Sequence, residues 1–308
     1  MNREFASDIG IFFLKQLALL PFRLLYFLSD LMYYLIYYII GYRKNVVIKN
    51  LKNSFPEKSN TEIRNVAKRF YRHFCDLTVE VIKLHAMNEK DFRRRLKVRN
   101  IGLLDQLYNQ NRSIVVLTMH YNNWEWSSCI PLYMKHKPLG VYKPLHNAKY
   151  DAYINNNRER MGVNMIPNQI VLRRIVELQR NHELFLLWLA GDQTPPVFHD
   201  SWFTFLNQDA MFYPGPATLS MRFNLPVLFQ KIEKVKRGYY ETTFEMLIDN
   251  PMGMSESEIM EVYIRRMEEI IREQPEYYLW SHKRWKHKRP GPLSVQNKEN
   301  ITAKPENA

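Results

Sequence analysis

His120 and Glu125 stand five positions apart in the stretch Thr118-Met119-His120-Tyr121-Asn122-Asn123-Trp124-Glu125. A base and a carboxylic acid at this spacing suit the transfer of an acyl group to a hydroxyl. On a continuous α-helix, positions i and i+5 lie about 140° apart, because each residue turns roughly 100°. The spacing therefore predicts His120 in a loop and Glu125 in the first turn of the helix that follows, where the dipole favours a carboxylate. From there Glu125 is expected to fix the imidazole tautomer and to stabilise the imidazolium formed when His120 takes a proton. No G-x-S-x-G elbow occurs, and neither Cys75 nor Cys129 sits in a nucleophile-like setting, which argues against a covalent acyl-enzyme. The nine histidines are scattered, so no metal and no cofactor is expected.

The elements that must hold this pair can be read from hydropathy. Residues 113–118 form a β-branched run that predicts a buried strand ending where His120 begins. Asn122 or Asn123 is placed to cap the following helix, which Pro131 limits or kinks. Further helices are predicted over 61–84, 150–161, 170–180 and 256–273, and further strands over 139–142, 184–190, 227–233 and 239–248, the last two joined at Lys236-Arg237-Gly238. Such alternation predicts an α/β fold, a mixed β-sheet flanked by helices. Asp192 follows the strand over 184–190 in a turn that begins at Gly191, and ligands in open α/β sheets collect beyond the carboxyl ends of strands. It is a candidate site residue on that ground.

Lys and Arg number 44 against 31 acidic residues, a net charge of +13, which implies an anionic partner. Nucleic acid is disfavoured, because no zinc-finger or RNP-type motif is present and the aromatics sit in apolar runs. A membrane surface fits better. Residues 11–28 are apolar except for Lys15, Gln16 and Arg23, and residues 31–40 are an unbroken apolar and aromatic run with four tyrosines. A spanning helix needs about 20 such residues, and an interfacial helix is the alternative. Residues 1–42 are read as a membrane-anchoring segment, 43–292 as the catalytic domain and 293–308 as a disordered tail. No small-residue cleavage site follows the apolar run, so a removed signal peptide is not expected. Arg43, Lys44, Lys49, Lys52 and Lys58 then crowd the flank, which by the positive-inside rule puts the catalytic domain in the cytoplasm. The two cysteines, with 53 residues between them, give no disulfide framework and agree with a reducing setting.

Several motifs carry a family resemblance. They are Gly41-Tyr42-Arg43 with Asn50-Leu51 and Phe55-Pro56, the His120 to Glu125 box, Val141-Tyr142-Lys143-Pro144-Leu145, Arg158 with Gly162, and Gly191-Asp192-Gln193. Gly215-Pro216-Ala217, Leu225-Pro226-Val227 and the closing run Pro275-Glu276-Tyr277-Tyr278-Leu279-Trp280-Ser281-His282-Lys283-Arg284-Trp285-Lys286 complete them. In order and spacing the chain resembles the lipid A biosynthesis acyltransferases, the late acyltransferases of Gram-negative outer-membrane lipid synthesis. The resemblance implies a glycerolipid-acyltransferase-like fold at the bacterial inner membrane, acyl carrier protein or coenzyme A as donor, and an anionic lipid A precursor as acceptor. It implies catalytic roles for His120 and Glu125, and substrate contacts for Lys143, Arg158, Asp192 and Arg284. Arg is more usual than Lys143 in the family, and a lysine loses bidentate geometry. Arg158 would hold the thioester oxygen or an acceptor phosphate, and the Trp280 to Trp285 cluster would sit at headgroup level or contact phosphate. Two other readings stay open: an acyltransferase for a glycerophospholipid or amino-acid lipid, against which no E-G-T-R-like motif is present, and a non-catalytic protein that binds anionic membranes.

Overall fold

The structure, a computed structural model, describes residues 3–195 and 200–290; the tail expected from residue 293 lies outside them. The chain runs α1 (Arg3–Leu19), α2 (Phe22–Tyr34), a π-helical turn (Leu35–Ile40), α3 (Lys44–Ser54), α4 (Asn60–Lys83), α5 (Glu89–Arg95), β1 (Leu96–Val98) and α6 (Ile101–Asn109). It continues with β2 (Ile114–Thr118), a 3-10 helix (Trp124–Tyr133), β3 (Lys137–Tyr142), α7 (Ala148–Glu159), β4 (Asn164–Pro167), α8 (Val171–Arg180) and β5 (Phe185–Ala190). A hairpin of β6 (Trp202–Phe205) and β7 (Gln208–Met211), α9 (Gly215–Phe223), β8 (Val227–Lys236), β9 (Tyr239–Ile248) and α10 (Glu256–Glu273) complete it.

Seven strands form one sheet in the order β1-β9-β8-β2-β5-β3-β4, with every pairing parallel except β8 with β9. The chain thus has the α/β fold with a mixed sheet that its alternating pattern predicts. β2 lies at the middle, and all five of its residues are buried, as parallel strands covered on both faces must be. Its side chains alternate between two cores. Val115 and Leu117 face the cluster that holds Phe70 and Ile264, whereas Ile114 and Val116 face the one that holds Phe92, Leu104 and Trp126.

Local rules account for the helix ends. Ser59 caps α4 in a capping box with Glu62, so the helix begins at Asn60, one residue ahead of the start at 61 that the sequence suggests. Ser255 and Glu258 do the same for α10. The segment after His120 is 3-10 rather than α-helical, consistent with Pro131 inside it, and Asn123 Oδ1 accepts from the Trp126 amide at 3.3 Å.

The N-terminal helices are fastened to the body. Leu25, Ser29 and Tyr33, spaced by four, form the buried face of α2. Ser29 Oγ donates to Asp76 at 2.8 Å, Tyr26 OH donates to Glu80 at 2.8 Å, and Lys83 Nζ donates to the carbonyls of Ala18 and Leu20 at 2.8 and 2.9 Å. Their other faces are apolar and open. Fourteen of the twenty exposed large apolar or aromatic side chains among the described residues fall within residues 5–42, Phe12, Phe13, Phe27, Ile39 and Ile40 among them. Phe22–Ile40 is a continuous helical stretch of 19 residues, long and apolar enough to cross a membrane by length and composition. It stops at Gly41, whose φ of 65° is left-handed and suits glycine.

Glu80 is the polar centre of this attachment. Its carboxylate accepts from Tyr26 OH, Asn123 Nδ2 and Tyr240 OH at 2.7–2.8 Å, so one buried side chain ties α2, β9 and the loop after His120 to α4. Burial pushes its carboxyl up to about 7, against the opposing effect of its Tyr240 and Tyr26 hydrogen bonds. Leaving a buried donor unpaired costs about 1–3 kcal/mol. Glu80→Leu is therefore expected to lose on the order of 3 kcal/mol or more in urea unfolding, while Glu80→Gln, which still accepts, keeps most of that stability. Equal losses in the two variants would remove the hydrogen-bonding account.

Candidate active site

The pairing of β2 with β5 builds the site. They run parallel in a register that sets Thr118 beside Ala190. His120 lies two residues beyond the first and Asp192 two beyond the second, so the two side chains leave neighbouring strand ends at one level. His120 Nδ1 and Asp192 Oδ1 are 2.7 Å apart. Tyr263, on α10, holds the two ends together by donating to the Thr118 carbonyl at 2.5 Å and accepting from the Gly191 amide at 3.2 Å. A Cβ on Gly191 would sit 3.1 Å from the Tyr263 ring, so glycine permits the close approach.

The turn after His120 is fixed from the other side. Asn122 is fully buried with φ 51°, a left-handed conformation that asparagine tolerates. Its amide donates to the Tyr277 carbonyl at 3.0 Å and its Nδ2 to the Ile232 carbonyl at 2.7 Å, while the His120 carbonyl accepts from the Leu279 amide at 3.1 Å. The closing motif therefore wraps the histidine loop. It is clasped in turn by the opening motif: Asn50 Nδ2 donates to the carbonyls of Trp280 and His282 at 2.9 and 3.0 Å, Arg43 to the Ser281 carbonyl at 2.9 Å, and the Phe55 and Trp280 rings meet edge to face at 5.8 Å.

Glu125 does not orient the imidazole. That expectation is corrected: Asp192 holds Nδ1, and Glu125 is held by Arg158, whose Nε and Nη2 donate to its two oxygens at 2.9 and 2.7 Å. The fork-to-carboxylate geometry is the strong, bidentate kind. Trp124 Nε1 also donates to Glu125 at 3.1 Å, and the Trp124 ring stands edge-on to the imidazole at 5.0 Å. Arg158 thus engages Glu125 through Nε and Nη2.

Charge sharing sets the protonation. Burial alone would lower the His120 pKa, but the charge and hydrogen bond of Asp192, with the charge of Glu125 behind them, raise it above its ordinary value. Burial would raise Asp192, yet the His120 partner brings it below the usual carboxylate range, with Arg284 adding to the effect. Glu125 is likewise lowered, since Arg158 outweighs burial. A neutral imidazole with its Nδ1 proton held by Asp192 presents Nε2 as a base. Gln193 Nε2 lies 3.0 Å from that atom. Sequence reasoning singled out the Gly191-Asp192-Gln193 run but gave Gln193 no role, and nothing in the sequence marked Tyr263.

The remaining expected site residues fall elsewhere. Lys143 is exposed beyond the end of β3, with no ion pair among the described residues. Arg284 is only 2% exposed and Trp280 is fully buried, which corrects the headgroup-level reading of the closing cluster. Arg284 Nη1 donates to the Met211 carbonyl at 2.9 Å, and its guanidinium lies 4.1 Å from the Phe212 ring centre. It stands inside the fold and acts on Asp192 by charge.

A cavity of about 490 Å³ opens beside Glu125 and Trp124. It is lined by the face of α4 formed by Phe74, Leu77, Thr78, Val81 and Ile82, the spacing of a helix stripe, and by Leu14 from α1. Trp126, two residues after Trp124, is fully buried in the core.

Comparison with known proteins identifies the family. The family model for bacterial lipid A biosynthesis acyltransferase matches residues 1–287, and the chain belongs to that family. It is 23% identical over 262 residues to the lipid A biosynthesis palmitoleoyltransferase of Escherichia coli, and equally to the lipid A biosynthesis acyltransferase of Shigella flexneri, covering 82% of each chain in both cases. A similarity to the crystal structure of the 1-acyl-sn-glycerophosphate acyltransferase PlsC from Thermotoga maritima has a TM-score of 0.38 at 16% identity, covering 83% of this chain and 98% of that one. The protein is an acyltransferase of lipid A biosynthesis, and the glycerophospholipid, amino-acid-lipid and non-catalytic readings are set aside.

The His120–Asp192 pair makes a direct prediction. With Asp192→Asn the groups that raise the imidazole are reduced, so its pKa falls; NMR titration of His120 should give a midpoint above 6.5 in the native protein and a lower one in the variant. An unshifted midpoint would show that Asp192 does not set the charge of His120.

Proposed function

We propose that the chain is a membrane-seated O-acyltransferase that moves a fatty acyl group from the thioester of acyl carrier protein to a hydroxyl of a phosphorylated lipid A precursor, on the cytoplasmic face of the bacterial inner membrane. The observation that carries this reading is the Asp192-held imidazole, whose neighbour Trp124 lines an apolar cavity together with Glu125. Coenzyme A is the lesser donor candidate, because the net charge of +13 favours an acidic carrier protein.

In this reading the acceptor hydroxyl takes the place that Gln193 occupies at His120 Nε2. Nε2 accepts the hydroxyl proton as the oxygen attacks the thioester carbonyl, and Asp192 stabilises the imidazolium. The tetrahedral oxyanion then collapses, the carbon–sulfur bond breaks, and the imidazolium returns its proton to the departing thiolate. Glu125 and Arg158 form a charged wall that fixes the rim of the site and adds negative potential behind the imidazolium. The acyl chain lies along the α4 face of the cavity, between Leu14 and Phe74. Lys143, exposed near the end of β3, is left to contact solvent-side groups of the large acceptor. The apolar faces of α1, α2 and the π turn meet the bilayer, so an acceptor that resides there is delivered without leaving it.

General-base catalysis contributes about 10²–10⁴ in rate. His120→Ala should lower transfer from purified acyl carrier protein to the lipid acceptor by about that factor, and Arg158→Ala should match Glu125→Gln in its effect because the two act as one unit. A His120→Ala enzyme with undiminished transfer would end the proposed chemistry. Placing aspartates at Phe13 and Ile39, 61% and 77% exposed, should release the protein from neutral phosphatidylcholine vesicles in flotation, and retention would remove the membrane-facing assignment.

A further inference from the structure

A second cavity, of about 580 Å³, lies between α2, α4 and the tip of the β8–β9 hairpin. Four cations line it: Arg72, Lys234, Lys236 and Arg237. Its two carboxylates are already engaged. Asp76 accepts from Arg237 at 2.6 Å and lies 3.4 Å from Lys234 Nζ, and Asp30 accepts from Arg237 at 2.7 Å. Arg72 and Lys236 are in no ion pair among the described residues and rest on the rings of Tyr33 and Tyr239, at 5.0 and 4.4 Å. The lining therefore carries a surplus of two positive charges, four cations against two carboxylates.

The position of this cavity selects its ligand. Tyr34, which lines it from α2, is 57% exposed and belongs to the open apolar face of the N-terminal helices; Val235, which lines it from the hairpin, is 59% exposed. Apolar side chains on two separate elements thus flank a basic hollow, the arrangement that meets a bilayer at headgroup depth. The acyl-transfer cavity is on the other side of α4. Phe74 and Thr78, which line that cavity, each follow Arg72 and Asp76 by two residues, roughly 200° around the helix.

We propose that this hollow binds the phosphate of an anionic bilayer lipid, at a site separate from the acyl-transfer centre. Arg72 and Lys236 supply the contacts, Lys234 adds field from beneath, and the Asp76–Arg237 pair fixes the floor. The site locks the rotation of the enzyme on the membrane face, because it is offset from α1 and seats the hairpin as well as the helices. It rests on the membrane-seated reading, and the test separates the two.

The full-length protein is floated with phosphatidylcholine vesicles, with and without phosphatidylglycerol at one part in five. Binding to neutral vesicles tests the apolar face alone; if the native protein binds neither kind, the membrane-seated reading and the site fall together. Phosphatidylglycerol should strengthen binding of the native protein, and each cation near the surface contributes about fivefold. Arg72→Gln with Lys236→Gln should erase roughly 25-fold of that gain while leaving neutral-vesicle binding unchanged. Lys236→Gln alone, in an exposed hairpin position, should erase about fivefold and guards against misfolding at Arg72. The comparison pair is Arg173→Gln with Arg180→Gln, exposed cations on α8, which follows β4 at the other edge of the sheet. Equal losses from the two pairs would mean diffuse attraction and would overturn the site. Transfer to detergent-dispersed acceptor should be unaffected in the cavity variants; a raised KM there would assign the hollow to a phosphate of the acceptor and overturn the bilayer assignment.

Discussion

The register between β2 and β5 is the constraint on which the site depends. Parallel strands bring residues distant in sequence to one level, and here Thr118 beside Ala190 makes His120 and Asp192 neighbours although 72 positions separate them. A slip of one residue would turn one of the two side chains to the opposite face of the sheet. Burial on both faces is what forbids the slip, since Ile114 and Val116 fill one core while Val115 and Leu117 fill the other. Tyr263 then closes the strand ends from α10. The packing of the protein interior and the placement of the His120–Asp192 pair are therefore one problem with one solution.

Two carboxylates stand near one imidazole, and their partners separate their duties. Asp192 is almost fully buried and shares its charge directly with His120. Glu125 is claimed on both oxygens by Arg158 and touches Trp124 as well. The bidentate pair keeps Glu125 charged in a buried place and joins α7 to the 3-10 helix, so that removal of either member would strand the other charge. Arg284, inside the fold, completes a row of alternating charge through Asp192 and His120.

Much of the fold was legible in the sequence because periodicity is local. The β-branched run before His120, the apolar run before Gly191, the hairpin around Gly238 and the stripe along α4 all announce themselves within a dozen residues. The order of the strands does not, because it is decided by which faces bury best against one another. For the same reason His120 and Asp192 could each be nominated while their partnership could not, and Glu125 was assigned to the imidazole when its partner was 33 positions away on α7. In the short β6–β7 hairpin, β7 carries Gln208 and Asp209 and gives no strand signal of its own. In the Trp280 to Trp285 run, tryptophan and arginine together suggest an interface; the clasp of Trp280 by Asn50 and Phe55, and the Phe212 ring beside Arg284, place those two side chains in the interior.

The fastening of α1 and α2 to α4 has a mechanical consequence. A catalytic domain on a free tether would sample many heights above a bilayer, whereas Lys83 grips the end of α1 by two carbonyls and Glu80 grips α2 while also holding the loop that follows His120. The exposed apolar faces of the N-terminal helices and the His120 loop are thus parts of one stiff frame. In the proposed membrane-seated reading such a frame works as a depth gauge: alcohols at a single altitude above the hydrocarbon come within reach, and selectivity among the hydroxyls of a crowded lipid begins with elevation before any shape is read.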